Sequence, residues 1–423
     1  MTTAAIAAPP AVRVLQPAEI RQIVHDALAT IPRGSRVLAV IPDRTRDDNT
    51  DLLFPMISQE LAARGAAQFD ALVAQGTHPP MSDAEKRAKI GAARAELPLL
   101  GSVFDHHWDR PSELVTLGTL SADEVSTLTG GLMHEEVPVT LNKRLAPGNY
   151  DFILVAGAVV PHEVAGFAGG AKYFFPGVAG PELTHLTHWL GALATIEKVI
   201  GRVETPTRHV IEAAADRVTT PVIAVTSVST RTDEGLRTHA LFTGGLRETI
   251  RQAAAVSAQV HIRYTGRRYR RVVAILDVHY DEMWVGGKAS YKLGGIIEDG
   301  GELVVYAPHL KAISTTHGAM IEKYGYAPLE VVREMVEGSD ELRANLCVAA
   351  HLAHVSYAGR MGADGQVEPR YRITLASAIP EEVCRRVKLG FAECGSIDLD
   401  AARQDPDTLV VDNAGRDLYL VVR

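Results

Sequence analysis

The run Tyr150–Val160, YDFILVAGAVV, passes without a break into Pro161–Trp189, PHEVAGFAGGAKYFFPGVAGPELTHLTHW. The first stretch is apolar and rich in β-branched residues, as in a strand buried on both faces. The second packs a histidine, several glycines, a lysine, a Pro-Gly turn and two further histidines into one short segment. Glycine admits positive φ and lets the backbone approach a bound group closely. Lys172 supplies an amine, and His185 and His188 share a face if Pro181–Ala194 is helical. A core strand followed by such a loop is where open α/β sheets bind ligands. Fold class and site are therefore read from one segment.

Outward from it, strand and helix patterns alternate. Strands are expected at Arg36–Ile41, Phe69–Ala74, Pro221–Val228, Arg271–Val278 and Glu302–Ala307. Helices are expected at Asp51–Arg64, Ser82–Ala95, Pro181–Ile200, Arg208–Arg217, Gly245–Val260, Lys288–Glu298 and Pro328–Glu337. This rhythm predicts an α/β protein with parallel or mixed sheets covered by helices. Two domains are expected, residues 1–268 and 269–423, with the active site in the cleft between them. The final strand, Asp417–Arg423, could return to the first sheet.

Ordinary nucleotide motifs fail in the glycine segment. A P-loop needs Gly where Ala171 precedes Lys172, and Ser or Thr where Tyr173 follows. Gly166-Phe-Ala-Gly-Gly170 lacks the G-x-G-x-x-G spacing. Taken alone, a lysine in such a loop most often faces solvent. A zinc hydrolase built on His162, His185 and His188 is an alternative, though no H-E-x-x-H spacing is present.

Pro161-His162-Glu-Val-Ala165-Gly166-Phe167-Ala168-Gly169-Gly170-Ala-Lys172-Tyr-Phe-Phe-Pro176-Gly177 resembles the signature of the nickel-dependent lactate racemase family, roughly P-H-x-x-A-G-F-S-G-G-x-K-x-x-x-P-G. Ala168 stands in place of its Ser. Three further segments match in order: Asp43-Arg-Thr45-Arg46, Gly76-Thr77-His78, and Asp105-His106-His107 ahead of Leu114–Gly118. The resemblance is strongest over residues 35–190.

The resemblance implies a cofactor, the nickel-pincer nucleotide pyridinium-3-thioamide-5-thiocarboxylic acid mononucleotide, loaded with the help of cofactor-making enzymes. Lys172 matches its covalent tether, and His188 matches the nickel ligand. Gly169 and Gly170 belong to its cradle, while Gly76, Thr77 and His78 follow a strand where backbone donors could meet its phosphate. His106 and His162 match the two catalytic bases, with His107 adjacent. Arg46 matches the arginine that grips substrate carboxylate, oriented by Asp43. Lys288 resembles a second residue near substrate. Trp284 stands where the lactate enzymes carry tyrosine, and Val285 replaces a polar residue there.

The implied reaction is inversion at C2 of a 2-hydroxy acid, lactate-like or larger, including a sugar acid. The Cα–H of such a substrate is a very weak acid, so removing hydride is the easier route to a planar keto acid. Protein side chains supply bases for the hydroxyl proton but no hydride acceptor, which a cofactor must bring. A protein that only binds the nickel nucleotide is a further alternative; storage would need neither Arg46 nor two histidine bases.

Composition narrows the rest. The 423 residues are 46% hydrophobic and 22% charged, as in soluble globular proteins. A net charge of −8 argues against nucleic acid. The run Arg267-Arg268-Tyr-Arg270-Arg271 is the local exception, read as a solvated approach to a strand. No apolar run approaches the length needed to span a bilayer, and the N-terminus does not read as a secretory signal. Three cysteines without a C-x-x-C pair suit a reducing cytoplasm.

Overall fold

A computed structural model describes residues 12–422. The chain divides into two compact units. The described part of one comprises 12–190 and 202–260, and that of the other 191–201 and 261–422. The change near 261 falls earlier than the expected boundary at 268. The segment 191–201 joins the C-terminal unit, which periodicity alone could not foretell.

In the N-terminal unit six strands form one sheet, ordered Leu100–Phe104, Gln68–Ala74, Arg36–Pro42, Phe152–Ala158, Val222–Thr232 and Gly235–Gly244. All neighbours pair in parallel except the last two, an antiparallel hairpin. Counted along the chain, the order is 3-2-1-4-5-6, as in doubly wound sheets, where strand order reverses between the first and fourth strands. Helices cover it because the central strands are apolar on both faces: Leu38, Ile41, Leu72 and Leu154 are all fully buried. Phe54, on the helix Thr50–Ala63, stacks on Phe69 with ring centroids 4.9 Å apart.

The elements not foreseen in this unit include the helices Pro17–Ala27 and Ala122–Thr129, the strand Leu100–Phe104, the hairpin of Leu114–Leu120 with Val137–Asn142, and the edge strand Gly235–Gly244. The strands among them carry exposed or partly exposed positions, so their residues lack the unbroken apolar signature of the inner strands. The expected helix Pro181–Ile200 breaks into Pro181–Leu193 and Ile196–Val199 around Thr195, whose φ is +65°.

The C-terminal unit holds an all-parallel sheet ordered Gly390–Phe391, Arg372–Ser377, Ile297–Ala307, Tyr269–Leu276 and Thr408–Ala414. The helix expected over Lys288–Glu298 stops at Leu293, and the following strand starts at Ile297. Gly294 and Gly295 end it, and a Cβ on Gly294 would lie 2.3 Å from the Tyr357 ring. The last strand, Leu418–Leu420, pairs with Ile262–Tyr264 in this unit and does not return to the first sheet. No helix among the described residues is long and apolar enough to cross a membrane.

Candidate active site

The order reversal lies between Arg36–Pro42 and Phe152–Ala158, and both strands end in the segments singled out above. Asp43–Arg46 leaves the first, and Pro161–Lys172 follows the second. Gly76–His78 and Asp105–His107 leave the ends of the two adjoining strands. Four segments dispersed in sequence thus share the carboxyl edge of one sheet, two of them at its switch point.

Asp43 is buried, and its Oδ2 lies 2.6 Å from Nδ1 of His78. Its Oδ1 accepts from the backbone N–H and hydroxyl of Thr45. Burial alone would raise this carboxyl's pKa. The charge and hydrogen bond of His78, with Arg46 and Thr45, outweigh it and hold the group well below the usual carboxylate range. Asp43 is therefore an ionised anchor, and the next turn is fixed as well. Lys89 donates to the Arg46 carbonyl and pairs with Asp48, each at 2.9 Å. Arg44 pairs instead with Glu85 at the surface.

Of the expected phosphate donors Gly76, Thr77 and His78, two have their N–H groups engaged within the protein. The N–H of Gly76 donates to the Gly177 carbonyl at 2.9 Å, and that of His78 donates to Gln75. This turn ties the second strand to the glycine loop, and the His78 ring serves Asp43.

Lys172 sits in the single turn Gly170–Tyr173. Burial, then the neighbouring Arg46 charge, lowers its ammonium to about 7; Glu163 and Asp43 pull the other way. A lysine near neutrality is a nucleophile at physiological pH. Gly169 and Gly170 have φ of +91° and +62°, and Cβ atoms there would press toward Val159 and Ile250. These glycines let the loop lie close on the structure beneath it, as its geometry requires.

Sequence reasoning missed the residue that holds this loop from below. Arg208, on the helix Pro206–Ala215, is fully buried, and burial lowers its guanidinium to about 10. It donates to the carbonyls of Gly169 at 3.0 Å, Ala165 at 3.4 Å and Phe167 at 2.5 Å. A buried arginine has no sequence signature beyond an arginine on an otherwise apolar helix face. Arg208→Met should leave those carbonyls without their donor, a cost of about 1–3 kcal/mol for each buried group left unpaired. Hydrogen exchange should then accelerate across residues 165–172 ahead of the rest of the unit. Unchanged protection there would remove Arg208 from this role.

His162 is 6% exposed, on a two-residue strand paired with Gly166–Phe167. Its Nδ1 accepts the Val164 N–H at 3.1 Å, so a neutral ring carries its proton on Nε2, 3.5 Å from Glu163. His188 donates from Nδ1 to the Thr184 carbonyl at 2.7 Å, the tautomer that puts the lone pair on Nε2. Such a backbone bond is how proteins orient metal-binding imidazoles. His185 packs edge-on to Trp108, with centroids 6.1 Å apart.

His106 departs from the expectation for a base that meets substrate. It is 1% exposed, donates from Nε2 to the Ala179 carbonyl at 2.9 Å, and accepts at Nδ1 from Asn142. Burial is the first cause of a pKa near 4. This imidazole stays neutral and bridges the hairpin to the end of the glycine loop. His107 beside it is half-exposed.

Lys288 and Trp284 lie in the C-terminal unit. Lys288 places Nζ 5.3 Å above the Tyr280 ring. Trp284 contacts two imidazoles, His317 and His351, with centroids 4.5 and 4.1 Å away. Tyr291, to which the sequence assigned no role, bonds Nδ1 of His351 at 2.8 Å, and Tyr326 meets Nε2. Among the described residues no three His, Cys, Asp or Glu side chains converge as a metal site, so His162, His185 and His188 do not form a zinc triad.

A doubly wound sheet with a lysine-bearing loop at its switch point and a metal-suited histidine on the next helix defines the class. The lactate racemase N-terminal domain family matches residues 19–200. The comparisons together support the lactate racemase-like family for this chain. A lactate racemase of Thermoanaerobacterium thermosaccharolyticum is 27% identical over 163 residues, 38% of this chain. The match spans about a third (34%) of that curated relative's length. A crystal structure of a Thermotoga maritima protein is 32% identical with TM-score 0.87, covering 96% of this chain and 98% of its own. The lactate racemase apoprotein of T. thermosaccharolyticum shares the fold, at 16% identity and TM-score 0.70, covering 95% of this chain and 92% of its own.

Proposed function

We propose that this chain is a cytoplasmic isomerase, a racemase or epimerase that inverts C2 of a 2-hydroxy acid with a lysine-tethered nickel-pincer nucleotide. The observation that carries the reading is Lys172: an amine brought near neutrality in a glycine loop at the sheet's switch point. The residues fit the group. Lys172 would tether it, and His188 would offer Nε2 to nickel, for which imidazole is a suitable ligand. When bound, it would supply the hydride acceptor that side chains lack.

The chain's own residues do the rest. Arg46, on a turn pinned by Asp43 and Lys89, grips the substrate carboxylate. His162 exchanges the C2-hydroxyl proton at Nε2 as its Nδ1–H tautomer. That role requires the Val164 N–H contact at Nδ1 to open and the ring proton to move from Nε2 to Nδ1 first. The opposite face is served from the His106–His107 pair, and His107 is the more exposed ring. Trp284 in place of tyrosine and Val285 in place of a polar residue argue against strict lactate specificity, and the substrate class extends to larger 2-hydroxy acids, a sugar acid among them.

The test is a panel of 2-hydroxy and aldonic acids, offered to protein co-expressed with the cofactor-making enzymes and followed for inversion at C2. With deuterium at C2, product should keep the label. Label lost to solvent in the first turnover would point to proton abstraction. A loaded protein that inverts nothing on the panel would leave the cofactor-binding reading in its place.

A further inference from the structure

The C-terminal unit carries a second concavity that the catalytic reading does not use. It is a cavity of about 600 Å³, within the range of small-molecule sites. It opens along the amino-terminal edge of the parallel sheet, lined by the opening residues of three strands, at Arg271, Arg372 and Thr408. Ligands of open α/β sheets usually bind at the opposite edge, so this is not the same kind of site.

Its lining is cationic on an acidic protein. Arg270, Arg271, Arg360, Arg370, Arg372 and Lys388 face three acids, Glu302, Asp405 and Asp407. Glu302 is already shared by Arg271, Arg372 and the Thr374 hydroxyl, and Asp405 accepts from Thr408 and the Asp407 N–H. Arg360 pairs with Glu368. Arg370, 7% exposed, pairs with Glu197, places Nε 3.6 Å from Asp299, donates to the Gly294 carbonyl and lies near the Tyr357 and Tyr371 rings. Arg270 and Lys388 have no ion-pair partner among the described residues.

Lys388 adds an independent sign. It follows the helix Glu381–Arg386 with φ +61°, while Leu389 N–H bonds the Cys384 carbonyl and its own N–H bonds that of Arg385. This is the glycine position of a Schellman turn, and a lysine there strains the backbone. Space is made for its stem: a Cβ on Gly325 would lie 2.8 Å from Lys388 Cγ. Strain of this kind is retained where a side chain serves a purpose.

We propose that this cavity binds a small multivalent anion, bearing phosphates or several carboxylates, through Arg270 and Lys388. The basic run 267–271 then has a function besides solvation. Charge-assisted bonds from two cations without carboxylate partners provide the affinity.

Isothermal titration of the full chain at fixed ionic strength tests this, with pyrophosphate in one arm and citrate in the other. Saturable one-site binding of at least one is expected, and the preferred arm identifies phosphate or carboxylate chemistry. Lys388→Gly should weaken binding roughly tenfold or more, the scale of one charge-assisted bond. Its Tm should hold or rise, because glycine relieves the left-handed strain. Arg270→Glu should abolish binding, and Arg267→Glu, in the same run but outside the lining, should leave it unchanged. No saturable heat with either anion overturns the proposal. So does a folded Lys388→Gly or Arg270→Glu protein that binds like wild type, or equal weakening by Arg267→Glu.

Discussion

Lys172→Ala protein, co-expressed with the cofactor-making enzymes, should carry no covalent adduct by intact mass, whereas wild type should gain one. Burial and the nearby Arg46 charge bring the Lys172 amine down to about 7, so a large share of it is neutral at physiological pH. A solvent-exposed lysine near 10.4 would be almost wholly protonated there. The sign follows directly. Below pH 7 the ammonium cannot attack an electrophile, and above it reactivity levels off. Competitive acetylation read by peptide mass spectrometry should give Lys172 a midpoint near 7. In Arg46→Ala the midpoint should move upward, because a cation that disfavours the ammonium has been removed. His188→Ala should keep the adduct and lose nickel. An equal adduct on wild type and Lys172→Ala would end the tether assignment, and a Lys172 midpoint like that of surface lysines would remove its physical basis.

The parts of this molecule legible in the sequence are those whose physics is local. The inner strands announce themselves because burial on both faces demands unbroken apolar runs, as at Phe152–Ala158. The glycine loop was legible because positive φ at Gly166, Gly169 and Gly170 leaves few alternatives to glycine. Edge strands such as Leu100–Phe104 were not, since one exposed face dilutes the pattern. The environment of a side chain was least legible of all. His106 and His107 are neighbours of the same type, yet one bridges Ala179 to Asn142 in the interior while the other is half-exposed. Arg208 shows the converse. Its three carbonyl partners lie about forty residues away (|i−j| 39, 43 and 41), beyond the reach of any local pattern.

The histidines separate catalysis from architecture. His162→Ala should suppress C2 inversion in both directions by at least the ~10²-fold typical of losing a general base. Both directions must fall together, because a catalyst cannot speed an equilibrium one way only. The adduct on Lys172 should survive, since His162 is assigned to substrate and not to the cofactor. The neighbouring pair should then divide. His107→Ala should lose turnover at unchanged Tm, as expected of a half-exposed ring that meets substrate. His106→Ala should lose about 1–3 kcal/mol of stability for each buried partner left unsatisfied, here the Ala179 carbonyl and the Asn142 amide. His106→Gln, which can donate and accept, should recover part of that stability. If His106→Gln is stable and loaded yet inactive, while His107→Ala is active, the base is His106, and its ring must leave Ala179 and Asn142 when substrate binds.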